Sequence, residues 1–304
     1  MAKEITVGGI TVPLSHPDKV LFPGDGITKK DLAGYYADVA SLMLPRLRDR
    51  PISMVRYPDG LGGERFFQKN APSYFPGWIR RVQLGKEGGQ VEHVVCDKPA
   101  TLVYLANQAC IEIHETTSRA DKLHAPDQLV FDFDPPDDKR FADVRRAALW
   151  ARDLLGDELG LTSFVRTTGG RGLHVHVALN RRAGFDTVRE FARLVAEVLA
   201  RRHPDVLTTE QRKDKRDDLV YADIMRNAYA QTVTASYGVR ARPGAPVATP
   251  LSWAEVEDGD LEPGQFTVAT VRARLDGGHD PWADFADSRH GLGEARKRLA
   301  KLQT

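Results

Sequence analysis

The chain has 304 residues, of which 41% are hydrophobic, enough to bury a sizeable core as one large domain or two small ones. Its 43 basic and 42 acidic residues leave a net charge of +1, which excludes a globally basic nucleic-acid binder and confines any such role to local patches. No apolar stretch is long enough to cross a membrane, Met1-Ala-Lys-Glu-Ile-Thr lacks a signal-peptide core, and Cys96 and Cys110 suggest neither a disulfide framework nor a zinc site. The two cysteines read as small buried residues of a protein in a reducing cytoplasm. Along the chain, a polar loop is expected at 85–89, followed by strands at 91–96, 109–114 and 128–134. Between the last two, the polar stretch 118–124 is a candidate contact loop or an ordinary connector. Apolar residues at helical spacing (Phe141, Val144, Ala148, Ala151, Leu155, Leu159) predict a helix over 141–159, and Val188, Phe191, Val195 and Val198 predict another over 185–201. Strands at 163–166, 173–179 and 219–225 interleave with them, and an irregular stretch at 240–246 introduces the C-terminal part. This order predicts a mixed α/β or α+β core that carries its chemistry on strands.

The run Leu129-Val-Phe-Asp-Phe-Asp-Pro135 is the most informative segment. Leu129, Phe131 and Phe133 alternate with the other positions, so period two sends Asp132 and Asp134 to one face. Two carboxylates that close repel each other unless a proton or a cation sits between them. Hard oxygen ligands suit Mg²⁺ or Mn²⁺. The plainer alternative is a strand running into an Asp-Pro turn that Asp134 caps.

In Thr167-Thr-Gly-Gly-Arg-Gly-Leu-His-Val-His-Val177, the glycines permit a tight turn whose amides approach a ligand closely. Thr168 and Arg171 add a hydroxyl and a planar cation suited to phosphate oxygens. His174 shares one strand face with His176. The pair could be a phosphate contact, a half-exposed face or a metal pair, with His176 the more structural of the two. Asp223 sits among apolar residues, where an unpaired carboxylate is costly. It either faces solvent, pairs with Arg226 or Arg240, or supplies a third oxygen ligand beside Asp132 and Asp134. Glu112 and His114 share a face opposite Ile111 and Ile113.

Taken in order, Ile111-Glu-Ile-His114, Phe131-Asp-Phe-Asp-Pro135, Thr168-Gly-Gly-Arg-Gly-Leu-His174, Ala222-Asp223 and Val239-Arg240 resemble the archaeo-eukaryotic primase superfamily. More narrowly, the chain is similar to the polymerase domain of bacterial end-joining ligase D and its stand-alone relatives. Ser15-His-Pro-Asp-Lys-Val-Leu-Phe-Pro23, Ile27-Thr-Lys-Lys-Asp-Leu32 and Arg65-Phe-Phe-Gln-Lys69 add signatures of that narrower group. The resemblance covers nearly the whole chain. It implies an α+β primase-type catalytic core, with mixed and antiparallel sheets flanked by helices, forming a single domain over 1–304 without ligase or nuclease parts.

The resemblance also implies roles. Asp132, Asp134 and Asp223 would be catalytic and hold two divalent ions, Mn²⁺ or Mg²⁺, for nucleotidyl transfer. His114, Thr168, Arg171, His174 and Arg240 match positions around the incoming nucleotide, and Phe66 and Phe67 match a pair that stacks on bases. Lys19, Lys29 and His16 match a site for the 5′-phosphate across a DNA gap or break. The implied function is a primase-polymerase that fills short gaps or extends broken ends, with a ribonucleotide preference, in bacterial break or excision repair. Its expected partners are gapped or broken DNA, nucleoside triphosphates, a separate ligase and an end-binding protein, without a membrane, in the cytoplasm at the nucleoid. The chain departs from the family pattern at Gly170, where Ser is common, at Arg171, where Lys is frequent, and at Arg226, where end-joining members often place Gln. Two other readings stand beside this one: a non-catalytic scaffold that binds DNA ends, and a metal-dependent phosphoesterase that uses the same carboxylates.

Overall fold

The computed structural model describes residues 3–86, 88–276 and 280–303. Glu87, inside the polar loop expected at 85–89, lies outside the described residues. The chain folds into two compact units, each assembled from three separate segments. The first comprises Met1–Thr116, Thr232–Ala248 and Phe266–Gly278; the second comprises Thr117–Gln231, Thr249–Gln265 and His279–Thr304. The stretch 240–246, expected to introduce the C-terminal part, instead loops within the first unit. Val239 and Val247 close it as an antiparallel bridge, and the chain leaves that unit only after Ala248.

The first unit is built on an antiparallel sheet in the order Thr232–Thr234, Cys110–Thr116, Pro51–Arg56, Gly89–Val95, Arg81–Lys86, with Phe66–Gln68 added beside Pro51–Arg56. Its helix Lys29–Asp38 starts at a capping box in which Thr28 and Asp31 satisfy each other's backbone amides. That helix places Tyr35 and Tyr36 wholly inside the core, where burial would strand their hydroxyls. Each hydroxyl donates to a backbone carbonyl 2.8 Å away, Tyr35 to Tyr237 and Tyr36 to Ile111. Distant segments of this unit are thereby fixed against one another.

The second unit carries a six-stranded sheet in the order Leu207–Thr208, Val220–Asp223, Gln128–Asp134, Leu173–Ala178, Ser163–Thr167, Pro250–Leu251. All pairs are antiparallel except the first. Leu129, Val130, Phe131 and Phe133 are fully buried, so the central strand lies in the core on both faces. Helix Phe141–Asp153 packs on this sheet, as does helix Phe185–Arg202, whose Val188, Phe191, Val195 and Val198 are buried as their spacing predicts. The first of these helices was expected to run to 159. Beyond Asp153 it widens into a π-turn, Leu154–Glu158, in which the Leu159 amide reaches back five residues to the Leu154 carbonyl. This change keeps both Leu155 and Leu159 buried although the helical register is lost. Among the described residues no helix is long and apolar enough to cross a membrane.

Candidate active site

The antiparallel registers of the second unit bring the acidic residues together. Asp132 lies directly opposite Asp223 on one neighbouring strand and opposite His174 on the other. The strand expected at 219–225 is shorter than its apolar run. It ends at Asp223, and a 3₁₀ turn, Met225–Asn227, follows. Asp223 caps that turn, its Oδ1 accepting from the Met225 amide at 2.7 Å.

Three carboxylates therefore crowd the end of the sheet, with Asp132 and Asp223 no more than 9% exposed. Burial, the charge of Asp132 and, more weakly, that of Asp223 push the Asp134 carboxyl up to about 7. Burial also raises Asp223, against the pull of the Met225 amide, and the charge of Asp132 adds to the rise. A guanidinium answers this crowding. Arg226 places Nε 3.4 Å from Asp132 Oδ2 and Nη2 3.8 Å from Asp223 Oδ2.

On the other side of Asp132, a chain of hydrogen bonds holds the histidine that faces it. Arg166, fully buried, donates from Nη2 to His174 Nδ1 at 3.0 Å and from Nε to His176 Nε2 at 3.1 Å. A guanidinium can only donate, so both of those ring nitrogens accept. The remaining nitrogens therefore carry the protons. His174 Nε2 faces Asp132 Oδ1 at 3.2 Å, and His176 Nδ1 donates to Gln128 Oε1 at 3.0 Å. His176 is structural, as its sequence position suggested. His174, expected at a phosphate, stands directly opposite Asp132 with Nε2 toward its Oδ1.

The glycine turn packs on the same strand. A Cβ at Gly172 would stand 2.4 Å from the Phe133 carbonyl oxygen and 3.1 Å from Asp134 Oδ1, so only glycine lets the turn approach this closely. Within the turn, the Gly170 and Gly172 amides both donate to Thr168 Oγ1. Arg171, half-buried, sits at the bend.

The donor set suits a hard divalent cation. It consists of carboxylate oxygens in cross-strand register, where burial first and mutual repulsion second raise two of their pKa values. Among the described residues no three His, Cys, Asp or Glu side chains are gathered round a common point as they stand, and Arg226 spans two of these carboxylates.

The first unit holds the remaining predicted residues. Glu112 and His114 share a face as expected, with His114 Nε2 2.8 Å from Glu112 Oε2. Arg240 Nε donates to Glu112 Oε1 at 3.1 Å, and the Ala241 amide reaches the same oxygen at 3.0 Å. Burial alone would raise the Glu112 carboxyl. The His114 hydrogen bond and the Arg240 charge overcome that effect and bring it down to about 2. Phe67 meets the His114 ring edge-on at 6.3 Å. Phe66 and Phe67, both more than 40% exposed, line an open cleft of about 510 Å³ with Arg56, Arg65 and Gln68.

His16, Lys19 and Lys29 are also brought together, since the Lys29 amide donates to the Lys19 carbonyl and the Lys19 amide to that of His16. Lys19 pairs with Asp59 at 2.9 Å. Lys29 is buried and its ammonium donates to the Ser15 carbonyl at 2.7 Å. Burial and the nearby charges of Lys19 and Arg56 lower its pKa. In the stretch 118–124, Lys122 donates to the Arg181 carbonyl and Asp121 pairs with Arg181, so this segment is tied to its own unit.

Sequence reasoning missed Arg166. The available signal was a cation next to Phe164 and Val165 in the strand Ser163–Thr167, and the fold sets it directly opposite His174.

A sequence model of the family described as LigD, primase-polymerase domain, matches residues 28–282, a span that runs through both units. The multifunctional non-homologous end joining protein LigD of Pseudomonas aeruginosa is 35% identical over 289 residues, covering 94% of this chain and 34% of that protein. The bifunctional protein of the same name from Bacillus subtilis is 34% identical over 269 residues, covering 88% of this chain and 43% of that one. The chain thus spans between a third and a half of these relatives. Among solved structures, the polymerase domain of Mycobacterium tuberculosis ligase D in complex with DNA aligns with a TM-score of 0.85 at 30% identity, covering 92% of this chain and 99% of that one.

Proposed function

The chain belongs to the LigD primase-polymerase domain family, whose core is of the archaeo-eukaryotic primase type, and from that premise we propose that it is a nucleotidyltransferase that fills short gaps or extends broken ends of DNA. The observation that carries this reading is the cross-strand set Asp132, Asp134 and Asp223, with a glycine turn packed onto its backbone. The family depends on divalent metal, and here Asp132, Asp134 and Asp223 would hold it, as two ions of Mn²⁺ or Mg²⁺. When bound, such ions lower the pKa of an attacking hydroxyl and neutralise charge on a triphosphate and its leaving group.

The chain's own residues prepare that chemistry. His174, held by Arg166, keeps one Asp132 oxygen oriented. Gly172 brings Arg171 and Thr168 up to the Asp134 strand, where a guanidinium and a hydroxyl suit phosphate oxygens. In the first unit, exposed Phe66 and Phe67 offer base-stacking faces worth about 1–3 kcal/mol per base. There the His114–Glu112–Arg240 cluster presents an imidazole and a guanidinium, groups suited to nucleotide phosphates. Lys19, Lys29 and His16 form the candidate 5′-phosphate contact, and Lys19 would exchange Asp59 for phosphate. The two units act as one catalytic domain in this reading. A ribonucleotide preference, a separate ligase, an end-binding protein and a cytoplasmic, nucleoid-associated setting belong to the same proposal.

Extension of a labelled primer across a short gap bearing a downstream 5′-phosphate tests it, with Mn²⁺ and either ribo- or deoxynucleotides. Templated addition that requires metal and is lost in Asp132→Ala is the expected result. Tight DNA binding without addition would make the chain a scaffold, and metal-dependent shortening of the primer would make it a phosphoesterase.

A further inference from the structure

Arg226 is built into the carboxylate cluster more firmly than an ordinary surface arginine. It rides on the turn Met225–Asn227, and that turn is clamped at both ends. Asp223 accepts the Met225 amide, and buried Asn227 bonds the Val130 backbone in both directions, accepting from its amide at 2.8 Å and donating to its carbonyl at 2.7 Å. Val130 lies two residues before Asp132 on the same strand, so the clamp sets the distance from the Arg226 backbone to the carboxylates. The guanidinium then spans Asp132 Oδ2 and Asp223 Oδ2 at 3.4 and 3.8 Å. Those lengths describe attraction between charges rather than a bidentate fork. The side chain is 37% exposed, which leaves it a path into water. The arrangement holds a cation over two carboxylates and also lets it leave.

We propose that Arg226 is an internal competitor of the divalent cation, neutralising Asp132 and Asp223 until metal displaces it and so setting the metal concentration at which the site fills. This inference rests on the metal-binding reading given above. A metal ion and the guanidinium would claim the same two oxygens, and two cations within about 4 Å of each other repel. The apparent metal affinity is therefore the open-site affinity multiplied by the fraction of molecules in which Arg226 has withdrawn. If Arg226 stays in place nine-tenths of the time, the apparent metal affinity is about tenfold weaker than that of the open site. Gln at this position has no charge to compete with.

The test is Mn²⁺ binding to the full, metal-stripped chain without nucleotide, followed by the electron paramagnetic resonance signal of free Mn²⁺. Arg226→Gln should bind Mn²⁺ about tenfold more tightly than the natural chain. Arg226→Lys, which keeps the charge, should stay within about threefold of it. Thermal melting supplies a second readout. Without metal, Arg226→Gln should melt below the natural chain, and saturating Mn²⁺ should close that gap. Equal or weaker Mn²⁺ binding by Arg226→Gln overturns the proposal, as does equal tightening by Arg226→Lys. If Asp132→Asn loses Mn²⁺ while Arg226→Gln matches the natural chain, metal binding stands and the competitor role alone falls. If the natural chain and Arg226→Gln both fail to bind Mn²⁺, the metal reading fails and takes this inference with it.

Discussion

Glu112 in the first unit and Asp134 in the second are both strand carboxylates with little access to water, and their surroundings treat them in opposite ways. Glu112 has a histidine, an arginine and a backbone amide directed at its two oxygens, and its carboxyl falls to about 2. At Asp134, burial and two neighbouring carboxylates outweigh the pull of Arg226 and Arg216, and its carboxyl rises to about 7. Burial works against ionisation at both positions, so the difference lies in the partners. A carboxylate that is fully answered holds two segments together, here Cys110–Thr116 and the loop after Val239. A group of carboxylates left short of positive charge costs stability, and is retained where a cation completes it.

The largest effect that could break this contrast is catalytic. Asp132→Ala should lower primer extension by at least about 10³-fold, several kcal/mol of lost transition-state stabilisation, with DNA binding largely kept. Extension within tenfold of the natural chain would remove the carboxylates from the chemistry.

Next come two substitutions of opposite sign. Glu112→Gln leaves Arg240 and His114 without their carboxylate and should destabilise the fold by about 2–4 kcal/mol. Asp134→Asn removes a repelled charge and should stabilise the metal-stripped protein at pH 8 by roughly 1–3 kcal/mol. Urea denaturation of both variants gives the comparison directly. The same sign for both would mean that the two sites do not differ as described.

The pH dependence sharpens it further. Glu112 has its pKa depressed on folding, from 4.5 to about 2, so the folded chain binds fewer protons than the unfolded one between those values. Its contribution is complete above about 4.5 and disappears as pH falls through 2. The advantage of the natural chain over Glu112→Gln should shrink over that interval. Asp134 has its pKa raised, from 3.8 to about 7, so the folded chain holds a proton that the unfolded one has released. Stability of the metal-stripped protein should therefore fall as pH rises from about 4 to about 7, and Asp134→Asn should reduce this slope to the part that the raised Asp223 carboxyl contributes. Chemical denaturation at a series of pH values reads both slopes.

The smallest effect belongs to Lys19. Lys19→Ala should weaken use of a gap with a downstream 5′-phosphate by a few-fold and leave simple primer-templates unchanged, since one phosphate contact is lost. Equal loss on both substrates would reassign Lys19 to general binding.

Much of the site was legible without coordinates. Alternation in Leu129–Asp134 put Asp132 and Asp134 on one face, and the same rule paired Glu112 with His114, because strand period is a property of the local backbone. The spacing of Val188, Phe191, Val195 and Val198 marked a helix for the same reason. Other features depended on segments that meet only in the folded chain. The antiparallel register set Asp223 opposite Asp132, and the clamp by Asn227 carried Arg226 across both. Cross-strand pairing placed Arg166 against two histidines and set His174 beside Asp132. Packing buried the Lys29 ammonium against Ser15. A residue's type and period follow from its immediate neighbours in the chain. Its charge partners and its exposure are set by which distant strands lie beside it, and only the tertiary structure decides that.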